Sequence, residues 1–173
     1  MKTISRIPAF GLFAICSLFL LSGCDKLKKP SSDSTPPTLK WKVYFFDTST
    51  EKEVTASGQT VKLKTGTEVR VTLIAEDKDG GVQKITFGGG NTWGCISGSV
   101  GQNKSGLLST DVQNLSPDSD GYVLPSIFLM RNFTMNFPCD GGYTLTSGKY
   151  ELAGSAENYF GGIVNSMLYL QTE

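Results

Sequence analysis

The side chains of this 173-residue chain that could do chemistry are carboxylates, a few aromatic residues and four cysteines, with no histidine among them. Two short runs stand out: Asp77-Lys78-Asp79-Gly80 and Asp118-Ser119-Asp120-Gly121. Alternating carboxylates ahead of a glycine turn can aim hard oxygens at Ca²⁺. A full calcium loop also needs a third acidic or amide ligand and a later glutamate, and neither copy has that glutamate at the required spacing. Asp and Gly are ordinary turn formers as well. Asp77, Asp79, Asp118 and Asp120 are therefore calcium candidates and turn candidates at once, and no cofactor is assigned. Nucleophilic catalysis lacks its parts: there is no histidine to act as base and no Gly-x-Ser-x-Gly. Ligands limited to carboxylates disfavour zinc.

Gly88-Gly89-Gly90-Asn91-Thr92-Trp93-Gly94-Cys95 reads as a glycine-rich, aromatic loop. No lysine follows at phosphate-loop spacing, so nucleotide binding is not implied. Trp93 either stacks on a sugar or grips a protein partner, or else packs inward. Tyr122 opens the apolar stretch Tyr122–Met130, which is either core or a docking edge. Pro125 within it suits an edge strand or a bulge.

The elements that position these residues read as β. Leu39, Trp41, Val43 and Phe45 alternate with Lys40, Lys42 and Tyr44. Val61 and Leu63, and then Val69, Val71 and Leu73, alternate in the same way. Further strands are predicted over Val82–Phe87, Tyr122–Phe128, Phe133–Phe137, Tyr150–Ala156 and Val164–Leu170. Glycine turns such as Thr65-Gly66, Asp79-Gly80-Gly81 and Ser147-Gly148 separate them. No amphipathic helix is evident. Many short strands at this spacing imply a sandwich or barrel.

The N-terminus has the layout of a secretory signal: Lys2 and Arg6, then an apolar run from Ala9 to Leu20. That run is short for a bilayer-spanning helix of roughly 20 residues. It ends in Leu21-Ser22-Gly23-Cys24, which resembles the lipobox of bacterial lipoproteins. The resemblance implies cleavage before Cys24, acylation of Cys24 and a membrane partner through the lipid. Asp25 next to it resembles the signal that holds enteric lipoproteins in the inner membrane. The processed chain loses Lys2 and Arg6, leaving 14 basic and 16 acidic side chains and no basic excess for nucleic acid. With Cys16 removed and Cys24 lipidated, Cys95 and Cys139 are the remaining pair, and in an exported domain such a pair reads as a disulfide. Residues 24–37, with Lys26, Lys28, Lys29 and a Ser/Pro run, read as a flexible tether.

Three further segments carry a second resemblance. Ser34-Thr35-Pro36-Pro37-Thr38, Glu68–Asp77 with Gly80-Gly81-Val82, and Ser147–Asn158 are similar to the entry, the Ala-x-Asp strand and the final Gly-x-Tyr-x-Leu-x-x-x-Ala-x-Asn hairpin of bacterial Ig-like modules. Residues Gly88 to Phe137 exceed the usual middle of such a module, and Glu157 replaces its aspartate. The resemblance implies an Ig-like antiparallel β-sandwich over 38–173, with an elaborated middle region behind the signal peptide and tether. The expected role is a non-catalytic, envelope-anchored module that binds protein or glycan or serves structurally, Trp93 and Tyr122 being the first binding residues to test. The alternative is an envelope polysaccharide hydrolase or lyase working through Asp/Glu pairs. A hydrolase of that kind needs two carboxylates about 5–10 Å apart across a cleft.

Overall fold

Side chains alternate in and out along a strand, so the alternating segments can bury one face only by pairing into sheets stacked on each other. The computed structural model describes residues 29–32 and 34–173 and has this architecture. Its strands are β1 (Thr38–Phe45), β2 (Thr50–Val54), β3 (Gln59–Leu63), β4 (Glu68–Glu76), β5 (Val82–Ser97), β6 (Val100–Asn114), β7 (Ser126–Thr134), β8 (Thr144–Asn158) and β9 (Ile163–Thr172). No helix occurs among the described residues. One sheet has the order β2-β1-β4-β7 and the other β3-β9-β8-β5-β6. All pairs are antiparallel except β3 with β9.

The predicted apolar faces form the core. Trp41, Val43, Val69, Val71 and Leu73 of one sheet meet Ile85, Phe87, Leu152, Leu168 and Leu170 of the other, all essentially buried. Trp41 lies edge-on to Phe87 at 5.3 Å, and its Nε1 donates to Ser166 Oγ at 2.9 Å. A buried indole N–H needs such a partner. Along the sheet edges β6 and β7, Arg131 closes the seam. Its guanidinium lies over Phe87, donates to the Ser109 carbonyl at 2.9 Å and pairs with Asp111.

Several expectations change. The glycine-rich stretch Gly88–Cys95 is not a loop but the interior of β5, which runs on to Ser97. Residues 100–114, expected as part of an elaborated loop, form the edge strand β6, joined to β5 by the two-residue turn Gly98-Ser99. β6 was hidden because an edge strand has little to bury, and its pattern is mostly polar on both faces. The polar edge strand β2 was hidden for the same reason. The strand expected at Tyr122–Phe128 begins only at Ser126, after Pro125, and runs to Thr134. Met135 and Phe137 therefore leave the ladder, yet both remain buried.

Ser31 N and Oγ both donate to Asp79 O, at 2.9 and 3.3 Å, and Pro37 is buried. The described part of the expected tether is thus laid against the sandwich. The signal segment, Cys24 and Asp25 lie outside the described residues.

Candidate binding surface

The alternation of β5 determines what its sheet presents to solvent. Tyr150, Leu152, Leu168 and Leu170 point into the core, so their neighbours Lys149, Glu151, Ala153, Met167, Tyr169 and Gln171 point out. The β5 residues paired with that outer row are Gly88, Gly90, Thr92 and Gly94, opposite Ala153, Glu151, Lys149 and Ser147. On the other flank Gly90, Thr92 and Gly94 pair with Leu107, Ser105 and Asn103 of β6. A central strand with three glycines on one face has almost no side chains there. The result is a furrow along β5, walled by β8 on one side and β6 on the other.

The furrow comprises three adjoining hollows of about 530, 620 and 330 Å³. Thr92 and Ser105 line both of the first two; Gly89, Ala153 and Met167 line the second and the third. Hydroxyl and amide side chains supply most of the polar lining: Thr92, Asn103, Ser105, Ser147 and Gln171 at one end, Thr110 and Asn165 at the other. Lys149 pairs with Glu151 at 2.5 Å and lies 5.0 Å from the Tyr169 ring. Both charges are over a third exposed, so the pair adds little stability, under about 1 kcal/mol. Its effect is to fix two polar groups on one wall, with the Tyr169 ring beside Lys149. Leu107 stands on the opposite rim, 95% exposed.

Trp93 borders the first hollow but is held from its inner side. Its ring packs 6.0 Å from Phe137, and its Nε1 donates to the Pro138 carbonyl at 2.9 Å. The adjoining Cys139 is bonded to Cys95 across a Cα–Cα distance of 5.9 Å. Trp93 thus packs inward beside the disulfide and still lines the hollow at that end of the furrow. Tyr122 lies at the other end of the molecule, two residues from Leu124, whose carbonyl accepts from Val82 N at 3.0 Å. Val82 is eleven residues before Trp93 on β5, about 35 Å of strand. The two aromatics do not form one site.

The Asp-x-Asp-Gly runs are both turns held by their first aspartate. Asp77 Oδ1 accepts from Asp79 N at 3.1 Å and Gly80 N at 2.7 Å. Asp118 Oδ1 accepts from Asp120 N at 2.9 Å and Tyr122 N at 2.8 Å. Their lead carboxylates are engaged with the backbone, as Asx turns require. Among the described residues no cluster of three or more Cys, Asp or Glu side chains is placed to hold a metal ion.

Asp77 does more than cap its turn. Its Oδ2 accepts from Asn158 Nδ2 at 3.0 Å. That amide also donates to Thr35 O at 2.9 Å, and Asn158 Oδ1 accepts from Phe160 N and Gly162 N at 3.0 and 2.8 Å. Asn158 has no solvent exposure. The entry segment, the β4–β5 turn and the β8–β9 turn thus meet on one buried amide.

Tyr150 sits beneath the furrow, its hydroxyl donating to Thr134 O at 3.1 Å. Burial pushes its hydroxyl above the ordinary phenol range, and a hydrogen bond with Asn91 pulls the other way. Tyr159 is also raised by burial.

The sequence did not point to the furrow residues Thr92, Ser105 and Glu151. The available signal was glycine at 88, 90 and 94, all on one parity, which in a strand means one bare face.

No protein-family model matches the chain, and no curated protein does. Among solved structures, the sporulation control protein Spo0M from Bacillus subtilis is similar at 13% identity with a TM-score of 0.35. The match covers 79% of this chain and 49% of that one. The chain spans about half the length of that structure, and a likeness this distant carries no functional argument.

Proposed function

We propose that the chain is an envelope lipoprotein, acylated at Cys24, whose sandwich is an Ig-like, non-catalytic module that binds an extended glycan along the β5 furrow. The observation that carries the binding role is the furrow itself: a bare strand flanked by hydroxyl and amide groups, with the Tyr169 ring behind the β8 wall against Lys149. Sugars present hydroxyls to such groups and C–H faces to aromatic rings.

Strand order supports the Ig-like part. β1, β4 and β7 take the places of strands A, B and E, and β5, β6, β8 and β9 those of C, C′, F and G. The Tyr150 hydroxyl on the Thr134 carbonyl resembles the tyrosine corner of that fold. The hydrolase alternative finds less support. Glu151 is the one carboxylate among the residues lining the furrow, and it is paired with Lys149. Two opposed carboxylates are what glycoside hydrolysis needs.

Thr92→Trp tests the reading. Thr92 is exposed, and an aromatic side chain suits a strand, so the fold should survive while the furrow fills. With unchanged circular dichroism, the variant should lose retention of the chain on immobilised envelope polysaccharide. Retention equal to wild type would exclude the furrow, and turnover of the polymer by wild type would overturn the non-catalytic reading.

A further inference from the structure

The end of the sandwich where the described chain begins is also the end richest in exposed apolar tips. Lys29 Nζ lies 5.7 Å above the Tyr122 ring, and Ser31 is bonded to Asp79. Asn158 holds Thr35, and the Gly162 position has no room for a side chain against Ser34 O and the Pro36 Cα. The β4–β5 and β8–β9 turns and the segment before β7 are joined there by hydrogen bonds: Asp77 N to Pro125 O, Val82 N to Leu124 O, and Asn158 to Asp77. On this end Tyr122, Leu124, Phe160 and Ile163 are 37%, 42%, 40% and 56% exposed.

We propose that this end seats directly on the lipid leaflet, with Tyr122, Leu124, Phe160 and Ile163 entering the headgroup layer. The inference rests on the reading of Cys24 as the acylated residue. From Cys24 to Lys29 there are five residue steps, which reach about 18 Å at full extension. Lys29 is already against Tyr122, so an acyl anchor on Cys24 holds this face beside the bilayer. A tyrosine at such a boundary keeps its hydroxyl wet and its ring in the apolar layer. Lys29 and Lys78 are exposed on the same end, but Asp79 and Asp120 lie on the same turns. The apolar tips, more than net charge, set how this end seats once the anchor holds it there. The furrow, on a sheet face running away from this end, stays open to the surroundings.

The test uses the full chain, expressed with Cys24 intact and reconstituted into phosphatidylethanolamine/phosphatidylglycerol vesicles that contain doxyl-labelled lipid. Ile163→Cys and Val100→Cys carry an environment-sensitive fluorophore. Val100 is equally exposed, 56%, but sits at the far hairpin beside Gly98-Ser99. Intact mass reports the acyl group separately. Seating requires a blue shift and lipid quenching at position 163 and neither at 100. Equal, water-like emission at both positions on acylated protein overturns the seating and leaves the anchor. Quenching at 163 on a chain with no acyl mass overturns the anchor and leaves the seating. Neither acyl mass nor quenching overturns both.

Discussion

Asn158 shows how one side chain can organise three segments. Its fully buried amide donates to Thr35 O and Asp77 Oδ2 and accepts from Phe160 N and Gly162 N. Removing it leaves Asp77 Oδ2, the Thr35 carbonyl and two backbone N–H groups without that partner. Asn158→Ala should cost about 3 kcal/mol, read as a lower urea midpoint at constant slope. Asn158→Asp should be as harmful, because it sets a second carboxylate against Asp77. Tyr150 supplies a pH-dependent term. Its folded pKa is raised above the unfolded value of about 10, so the fold favours the neutral phenol. That contribution is intact below about pH 10 and is lost as pH rises through the folded pKa. Tyr150→Phe should lose about 1 kcal/mol at neutral pH with the Thr134 hydrogen bond. The stability gap to wild type should then narrow in alkaline titration; a gap that widened above pH 10 would contradict this sign.

At the scale of elements, the Cys95–Cys139 disulfide joins the end of β5 to the β7–β8 connection across a sequence separation of 44. In the chain-entropy picture a loop of this length contributes about 4 kcal/mol. The double variant Cys95→Ala/Cys139→Ala should lose a comparable amount, less any strain released, in thermal unfolding. Nearby, Gly148 makes room for the Phe137 ring, which a Cβ would meet at 2.2 Å. Gly148→Ala should cost about 2 kcal/mol by overpacking. Elements with one buried face were readable from their alternation: β1, β3, β4 and the apolar halves of β8 and β9 fall where the pattern of Leu39–Phe45, Val61–Leu63, Val69–Leu73, Tyr150–Ala156 and Val164–Leu170 put them. β2 and β6 were not readable, because edge strands bury too little to force a pattern. The bare face of β5 was misread as a loop, since glycine signals a turn locally and a furrow only once neighbouring strands supply walls. The Asp77–Asn158 contact was similarly out of reach. Both residues stood in segments that resemble Ig-like modules, but their meeting across 81 positions is a property of the fold.

At the scale of the whole molecule the two sheets share the inside and differ outside. The buried faces of both make one core, lined by linked aromatics from Trp93 through Phe137, Tyr150 and Phe133 to Phe87 and Trp41. The exposed face of the five-stranded sheet carries the furrow, and the end bearing Lys29 carries the apolar tips. Cys24→Ser should move the chain from the membrane to the aqueous fraction of the envelope without altering its fold, because an acyl anchor supplies most of the membrane affinity. Membrane fractionation of the wild type also tests the Asp25 reading, which predicts the inner membrane. The binding claim is tested most directly by hydrogen–deuterium exchange of the chain with and without solubilised envelope polysaccharide. Protection is expected only in the β5 furrow, in peptides containing Gly88–Gly94, Asn103–Leu107 and Lys149–Ala153, with the β2-β1-β4-β7 sheet unchanged. Protection on the β7 edge at Phe128 and Met130, with the furrow unchanged, would contradict it.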